Sequence, residues 1–139
     1  MRMSHKLALA VLAGLSIGVA GDKVIHAQQV KTPQGYVVAE VEVSDPTAIQ
    51  KYGEKVPETL APFNHQYLVV SHNIQALEGE PPKGGIVVIA FDSVEKAREW
   101  YDSPAYAAIR PIRQSAAKSR LFIVEGIAPP LTEWLQASR

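Results

Sequence analysis

Apolar positions in the chain fall into short blocks, and the block around which the rest is organised is Gly85–Phe91. Such a run is too short for a buried helix and is rich in β-branched residues, so it predicts a strand buried on both faces. A helix is expected directly after it, because Asp92 or Ser93 can cap a first turn and Asp92 with Glu95 has the spacing of a capping box. The predicted unit is a strand followed at once by a helix.

The blocks before this unit predict another strand and helix. Tyr36–Val43 alternates between apolar and acidic residues over most of its length, which is typical of a strand. Asp45 and Pro46 then form a helix start, since the aspartate can accept free amide groups and proline suits the first turn. The helix that follows has an apolar face with residues spaced three and four apart, namely Ile49, Tyr52, Val56 and Leu60. We expect Pro57 to bend or interrupt this helix and Pro62 to end it.

Two further strands and a further helix start complete the pattern. Gln66–His72 predicts the second strand along the chain, and Arg120–Ile127 predicts the last one. After the helix that begins at Val94, the helix-start signal is repeated at Asp102, Ser103 and Pro104, with Asp102 as the expected cap. The helix predicted there carries three residues on the face that should meet the sheet: Tyr106, Ile109 and Arg113.

The order strand, helix, strand, strand, helix, strand is that of a ferredoxin-like α+β fold, βαββαβ. Right-handed crossovers would place the helices on one side of a four-stranded antiparallel sheet, with the first and third strands in the middle. In the central block and in the last strand apolar residues point to both faces, and the helices can cover only one of them. A homodimer that stacks sheet on sheet would cover the other face; the alternative is a monomer whose C-terminal tail covers it.

The remaining segments divide the chain into four parts. Residues 1–27 have a positively charged start, a short apolar centre and a small residue, Ala27, before a polar stretch, as a cleavable secretory signal does. The apolar centre is too short to span a bilayer as an anchor. We therefore expect cleavage after Ala27 and a periplasmic or secreted protein without membrane contact afterwards. Residues 28–34 are then a loose lead-in, 35–127 the ferredoxin-like domain and 128–139 a C-terminal tail.

Composition narrows the chemistry further. The 139 residues include no cysteine, which removes disulfides, thiolate metal sites and a cysteine nucleophile together. Acidic and basic residues are equal in number, so there is no basic excess that would suggest nucleic acid as a partner. The sequence has no glycine-rich phosphate loop, nucleophile elbow or paired-carboxylate motif, and it therefore identifies no catalytic residue.

Several segments resemble one family. The run GYVVAEVEVSDP, then YLVV followed by EGE, and above all VVIAFDSVEKAREWYDSPAY are similar to the uncharacterised family known as domain of unknown function 1330. The resemblance covers residues 35–126 and implies the dimeric α/β-barrel superfamily, which pairs sheet to sheet and includes cofactor-free monooxygenases, lactone isomerases, haem enzymes and binding proteins. Arginines and glycines usual in the family around the second strand are replaced here by Asn64, His65 and Gln66 and by Val70, Ser71 and His72.

The candidates for ligand contact are Tyr52, His65, His72, Tyr106 and Arg113. Arg113 lies on a helix face that should pack on the sheet, so its guanidinium needs a carboxylate such as Glu40 or Glu125, or else an anionic ligand. The two histidines are seven positions apart, so in a regular strand they would face opposite ways and could not share a metal; a bulge between them is the alternative that would bring them to one side. We expect neither metal nor cofactor; haem bound through one histidine is the alternative that the resemblance leaves open.

Three functions stay open at this point. The first is an exported homodimer that binds a small anionic or aromatic molecule in a pocket between sheet and helices. The second is a cofactor-independent enzyme of the monooxygenase or isomerase kind, in which Tyr106, Arg113 and a histidine surround a carbonyl or phenol substrate. The third is a structural or interaction dimer whose interior is filled by Tyr52, Trp100 and Tyr106.

Overall fold

The computed structural model describes residues 32–127 and Gln136. The predicted signal peptide (1–27), most of the lead-in (28–34) and, apart from Gln136, the C-terminal tail (128–139) lie outside the described residues. Cleavage after Ala27 and a role for the tail therefore stay predictions. None of the helices in the described part is both long enough and apolar enough to cross a membrane.

Four strands and three helices make up the described chain, and together they form a ferredoxin-like fold. In chain order they are β1 (Gly35–Val43), α1 (Pro46–Leu60), β2 (His65–Ser71), β3 (Gly85–Phe91), α2 (Val94–Asp102), α3 (Pro104–Ala116) and β4 (Ala117–Glu125). The sheet order is β2, β3, β1, β4, and all neighbouring strands are antiparallel. The first and third strands are thus in the middle, as the element order predicts.

Each helix begins at a polar cap that the sequence marks. Asp45 accepts a hydrogen bond from the amide of Ala48 at 3.0 Å and so caps α1. Ser93 caps α2. Ser103 caps α3, so the cap predicted at Asp102 is wrong, because Asp102 is the last residue of α2. Of the two candidate caps before α2, Ser93 is therefore the one used. Asp92 instead accepts a hydrogen bond from the side-chain amide of Asn64 at 2.7 Å, so the capping box predicted for it is wrong.

Pro57 does not interrupt α1, which continues to Leu60 and ends before Pro62, as predicted. The start of the last strand differs from the prediction because tertiary pairing overrides local pattern. The last strand begins at Ala117 rather than Arg120, since Lys118 and Ser119 pair with the far end of β1. Polar residues of this kind give no strand signal by themselves, and their extended conformation comes from the hydrogen bonds of the β1 ladder.

The core lies between the helices and one face of the sheet. Its largest fully buried side chains are those of Leu60, Phe91, Trp100 and Tyr106. The Trp100 indole N–H donates to the Thr59 hydroxyl at 3.0 Å, and that hydroxyl donates to the Val56 carbonyl at 2.7 Å. The one polar atom of the buried indole is thus satisfied without breaking the apolar packing around it.

The opposite side of the sheet, here called the outer face, is also apolar. Register places Val38 between Val88 and Phe122, and Tyr36 is paired with Val124. Phe122 and Val124 are 41% and 44% exposed in the single chain. The prediction that the strands carry apolar residues on both faces is confirmed, but in this chain alone the buried core cluster lies on the helix side.

Candidate functional site

A cavity of about 270 Å³ lies between the sheet and the helices. It exists because α1 packs mainly against α3 rather than against the strands, which leaves space beneath it. Most of its wall is apolar and comes from both layers, with contributions from Val37, Ala39, Ile49, Val56, Ile89 and Trp100. The mouth is on the side of β2, where Tyr67, Val70 and His72 are exposed.

The polar groups in the cavity wall include a pair of tyrosines from two helices. Tyr52 of α1 and Tyr106 of α3 share a hydrogen bond of 2.9 Å between their hydroxyl oxygens, and their rings meet edge to face. The ring of Tyr106 packs against the indole of Trp100, with 4.2 Å between the two ring centroids. The position of Tyr106 follows from the Ser103 cap, which fixes the first turn of α3.

Burial raises the pKa of Tyr52 far above its ordinary value, and the neighbouring Tyr106 hydroxyl raises it further. The Arg113 guanidinium opposes this rise in pKa but does not cancel it. The Tyr52 hydroxyl is therefore protonated at neutral pH and can donate a hydrogen bond. It is a poor general base, because a base must release its proton near the working pH.

Arg113 is the buried cation of this site. It lies in the last turn of α3, is 5% exposed and lines the cavity. One of its terminal nitrogens donates to the Ser119 hydroxyl of β4, while its Nε has no hydrogen-bond partner. A buried donor without an acceptor costs free energy, and a buried charge without a counter-charge costs more.

The carboxylate partner predicted for Arg113 is absent from the described part of the chain. Glu40 pairs with Arg120 instead, at 2.6 Å, because those two residues are register partners on the outer face. Glu125, the other acid considered, is at the end of β4 and forms no salt bridge there. The salt-bridge interpretation of Arg113 is therefore wrong for the described residues.

The two histidines face the same side of the sheet, contrary to the prediction for a regular strand. His65 is the first residue of β2, and His72 directly follows its last residue. A register irregularity between Tyr67 and Val69 places His65 opposite Phe91, while the ring of His72 lies over Gly85. An added methyl group at Gly85 would come within 2.6 Å of that ring, so the glycine provides the space that it occupies. His65 is at the other end of the strand, where its Nδ1 lies 2.8 Å from the Phe63 carbonyl oxygen.

Four of the five candidates thus line one cavity, namely Tyr52, His72, Tyr106 and Arg113, and His65 does not. Within residues 32–127 there is no cluster of three or more histidine, aspartate or glutamate side chains that could hold a metal ion. Ser119 is the site residue that the sequence reasoning missed. Counting the strand alternation back from Leu121 would have placed it on the helix-facing side beside Arg113.

The same part of the chain matches one family model. The model describes a domain of unknown function (DUF1330) and covers residues 34–127. The chain belongs to this family. No protein of curated function matches it in sequence.

Solved structures similar to this DUF1330 domain share its fold. A protein of unknown function from Rhodopseudomonas palustris is 17% identical in its methylated form, with a TM-score of 0.56, and the match covers 70% of this chain and 84% of that one. A second structure of the same protein has 18% identity and a TM-score of 0.53, covering 71% and 85% of the two chains. A hypothetical protein of Arabidopsis thaliana, solved in solution, has 15% identity and a TM-score of 0.53, covering 76% and 97%. At such identities the likeness establishes the fold alone.

In this DUF1330 domain the cavity combines an apolar wall with a small group of hydrogen-bond donors. Tyr52 and Tyr106 supply hydroxyl groups, Arg113 supplies a charge, and the walls supply apolar contact. Such a combination is typical of pockets that orient a small molecule by a few polar contacts and hold the rest by burial.

Proposed function

We propose that the protein is an exported homodimer that binds a small, largely apolar molecule with one polar end in the cavity between sheet and helices. The observation that carries this proposal is the cavity itself, which persists although Trp100 and Tyr106 are fully buried and Tyr52 is partly buried beside it. Side chains that served only to fill the interior would leave less open volume, because protein interiors normally pack with few voids larger than a water molecule.

Binding is favoured over cofactor-independent turnover by the chemistry of the wall. Tyr52, like an ordinary tyrosine, is a donor at neutral pH, and burial raises its pKa further, which makes it less suited to act as a base. His72 is at the mouth and exposed to solvent, so it is poorly placed to move a proton inside the closed part of the cavity.

A cavity-filling variant tests the binding function. Ala39 is buried and lines the cavity, so Ala39→Leu adds apolar volume inside it; the matched control is Ala48→Leu, which makes the same change at a residue outside the lining. Mass spectrometry of small molecules released from the purified protein should find a compound with the wild type and the control that is reduced with Ala39→Leu. Identical spectra from all three, with circular dichroism showing a folded domain in each, would exclude the cavity as the binding site.

The homodimer is supported by the outer face. Apolar side chains of the two central strands and β4 are only partly buried there, and covering them stabilises by about 25 cal/mol per Å² of apolar surface. A second copy brings the same apolar surface, so a two-fold stack covers both at once.

We expect Phe122→Asp to convert dimer to monomer in sedimentation equilibrium. Leu77→Asp, at a loop residue that is 94% exposed, should leave the dimer intact. A wild type that sediments as a monomer at micromolar concentration would rule the dimer out.

Export is the remaining part of the proposal and depends on residues 1–27. Cell fractionation of the full-length chain should place the mature form outside the cytoplasm, with Gln28 as its first residue. A mature protein in the cytoplasm that retains residue 1 would contradict it.

A further inference from the structure

We propose that the molecule bound in the cavity is an organic monocarboxylate, and that Arg113 holds its carboxylate. This inference rests on the proposed binding function and names the class of ligand. Its starting point is the unsatisfied state of Arg113, which is 5% exposed, has a free Nε and has no acid among the described residues within salt-bridge distance. A guanidinium in this state is complementary to a group that brings a negative charge and acceptor oxygens.

The hydrogen-bond inventory of the neighbouring groups points the same way. Between Tyr52 and Tyr106 there are two hydroxyl hydrogens, and their mutual bond uses one of them. The other makes no hydrogen bond with the described residues and can rotate to meet an acceptor. Arg113 adds its Nε–H, while its bond to Ser119 occupies another of its donors. The site therefore presents spare donors, and an ionised carboxylate, which only accepts hydrogen bonds, matches them.

The rest of the cavity limits what the carboxylate can be attached to. The walls around the tyrosine pair are apolar, with Val37, Ile89 and Trp100 from the sheet and α2 and with Ile49 and Val56 from α1. Among the described residues Arg113 is the one lysine or arginine in the lining, so a single negative charge is balanced there, whereas a doubly charged phosphate would leave one charge without a lysine or arginine partner in an apolar space. A volume of about 270 Å³ admits a single aromatic ring or a short aliphatic chain behind the carboxylate.

Pairs of acids and their neutral amides test this assignment on the full mature protein. We would titrate it by calorimetry at pH 7 with benzoate and benzamide, phenylacetate and phenylacetamide, and hexanoate and hexanamide. Members of a pair have nearly the same shape, so their difference reports on the negative charge and on the exchange of an acceptor oxygen for a donor NH2 group. For at least one pair we expect the carboxylate to bind about tenfold more tightly than its amide, or better, which corresponds to about 1.4 kcal/mol.

Variants of the arginine then locate the charge that is recognised. Arg113→Met should lose the preference for the acid while still binding the amide, and Arg113→Lys should keep a weakened preference because it retains the charge but not the planar fork of donors. Arg110→Met is the matched control on the same helix. Arg110 lies over the Tyr101 ring rather than in the cavity wall, so its loss should leave the preference unchanged.

The outcomes separate the two proposals. If the wild type binds an acid and its amide within about twofold of each other, the carboxylate inference is overturned and the binding function stands. If Arg113→Met and Arg113→Lys both keep the full preference, the carboxylate is held elsewhere and the assignment to Arg113 is wrong. If no member of any pair binds to the wild type, the carboxylate inference is overturned whatever the cavity holds. The mass spectra of the Ala39→Leu experiment then decide the binding function separately.

Discussion

Replacing Arg113 by methionine in the ligand-free protein should leave the domain equally stable or make it more stable. Methionine has similar length and no charge, so the change removes the guanidinium while keeping most of the volume. The structure gives the reason for the expected sign: the charged group is buried, its Nε is unpaired, and no carboxylate of the described chain pairs with it.

The magnitude follows from two opposing contributions. Loss of the hydrogen bond to Ser119 costs about 1.5–3 kcal/mol, as for a bond to a charged group. Relief from burying an uncompensated guanidinium contributes several kcal/mol in the other direction, and replacement of buried ionic groups by apolar side chains has stabilised proteins by about 1–4 kcal/mol. We therefore expect the free energy of unfolding to change by between about 0 and +3 kcal/mol. For a domain of this size each kcal/mol raises the melting temperature by about 4–8 °C.

Urea denaturation followed by circular dichroism measures this change. The protein should first be unfolded and refolded in a buffer low in chloride and carboxylates, because a bound anion would stabilise the wild type and hide the effect. Arg110→Met serves as the control; its guanidinium lies 4.7 Å from the centroid of the Tyr101 ring, and loss of that contact should cost about 0.5–1 kcal/mol.

The reasoning is refuted if Arg113→Met lowers the free energy of unfolding by more than about 1 kcal/mol beyond Arg110→Met. The guanidinium would then have a stabilising partner in the folded protein, and its role would be structural.

Three further substitutions test other parts of the structure. Thr59→Val keeps the shape of the side chain but leaves the indole N–H of Trp100 buried without an acceptor. Urea denaturation should therefore show a fall in unfolding free energy of about 1–3 kcal/mol. A fall below about 0.5 kcal/mol would mean that the indole finds another acceptor. Gly35→Ala would place a methyl group 2.4 Å from the backbone oxygen of Ser93, so the backbone must shift. The melting temperature should fall, with a cost in unfolding free energy of about 1–3 kcal/mol. An unchanged melting curve would contradict the close approach of β1 and the start of α2. Tyr52 has a folded pKa raised above the ordinary value near 10, so the stability linked to it is complete below about pH 10 and is lost as the pH rises further. Tyr52→Phe should therefore flatten the fall in unfolding free energy above pH 10, and equal slopes for both proteins would show that the hydroxyl is not buried.

Much of this fold is determined by local signals in the sequence. Asp45 and Ser103 start helices because a short polar side chain beside a free amide needs no distant partner. The apolar block Gly85–Phe91 becomes a central strand because its period and its β-branched residues suit nothing else of that length. The helix spacing of Tyr106, Ile109 and Arg113 likewise placed all three on one buried face.

Only the tertiary structure decided what those buried residues meet. Glu40 was a plausible partner for Arg113 until strand register placed it on the outer face beside Arg120. The two histidines face the same side of the sheet rather than opposite sides, because one irregularity in β2 shifts every later side chain to the other face. Periodicity tells which way a side chain points along its own element, whereas its neighbours depend on how distant elements align. The cavity, with an arginine that has no carboxylate partner among the described residues, is a product of that alignment.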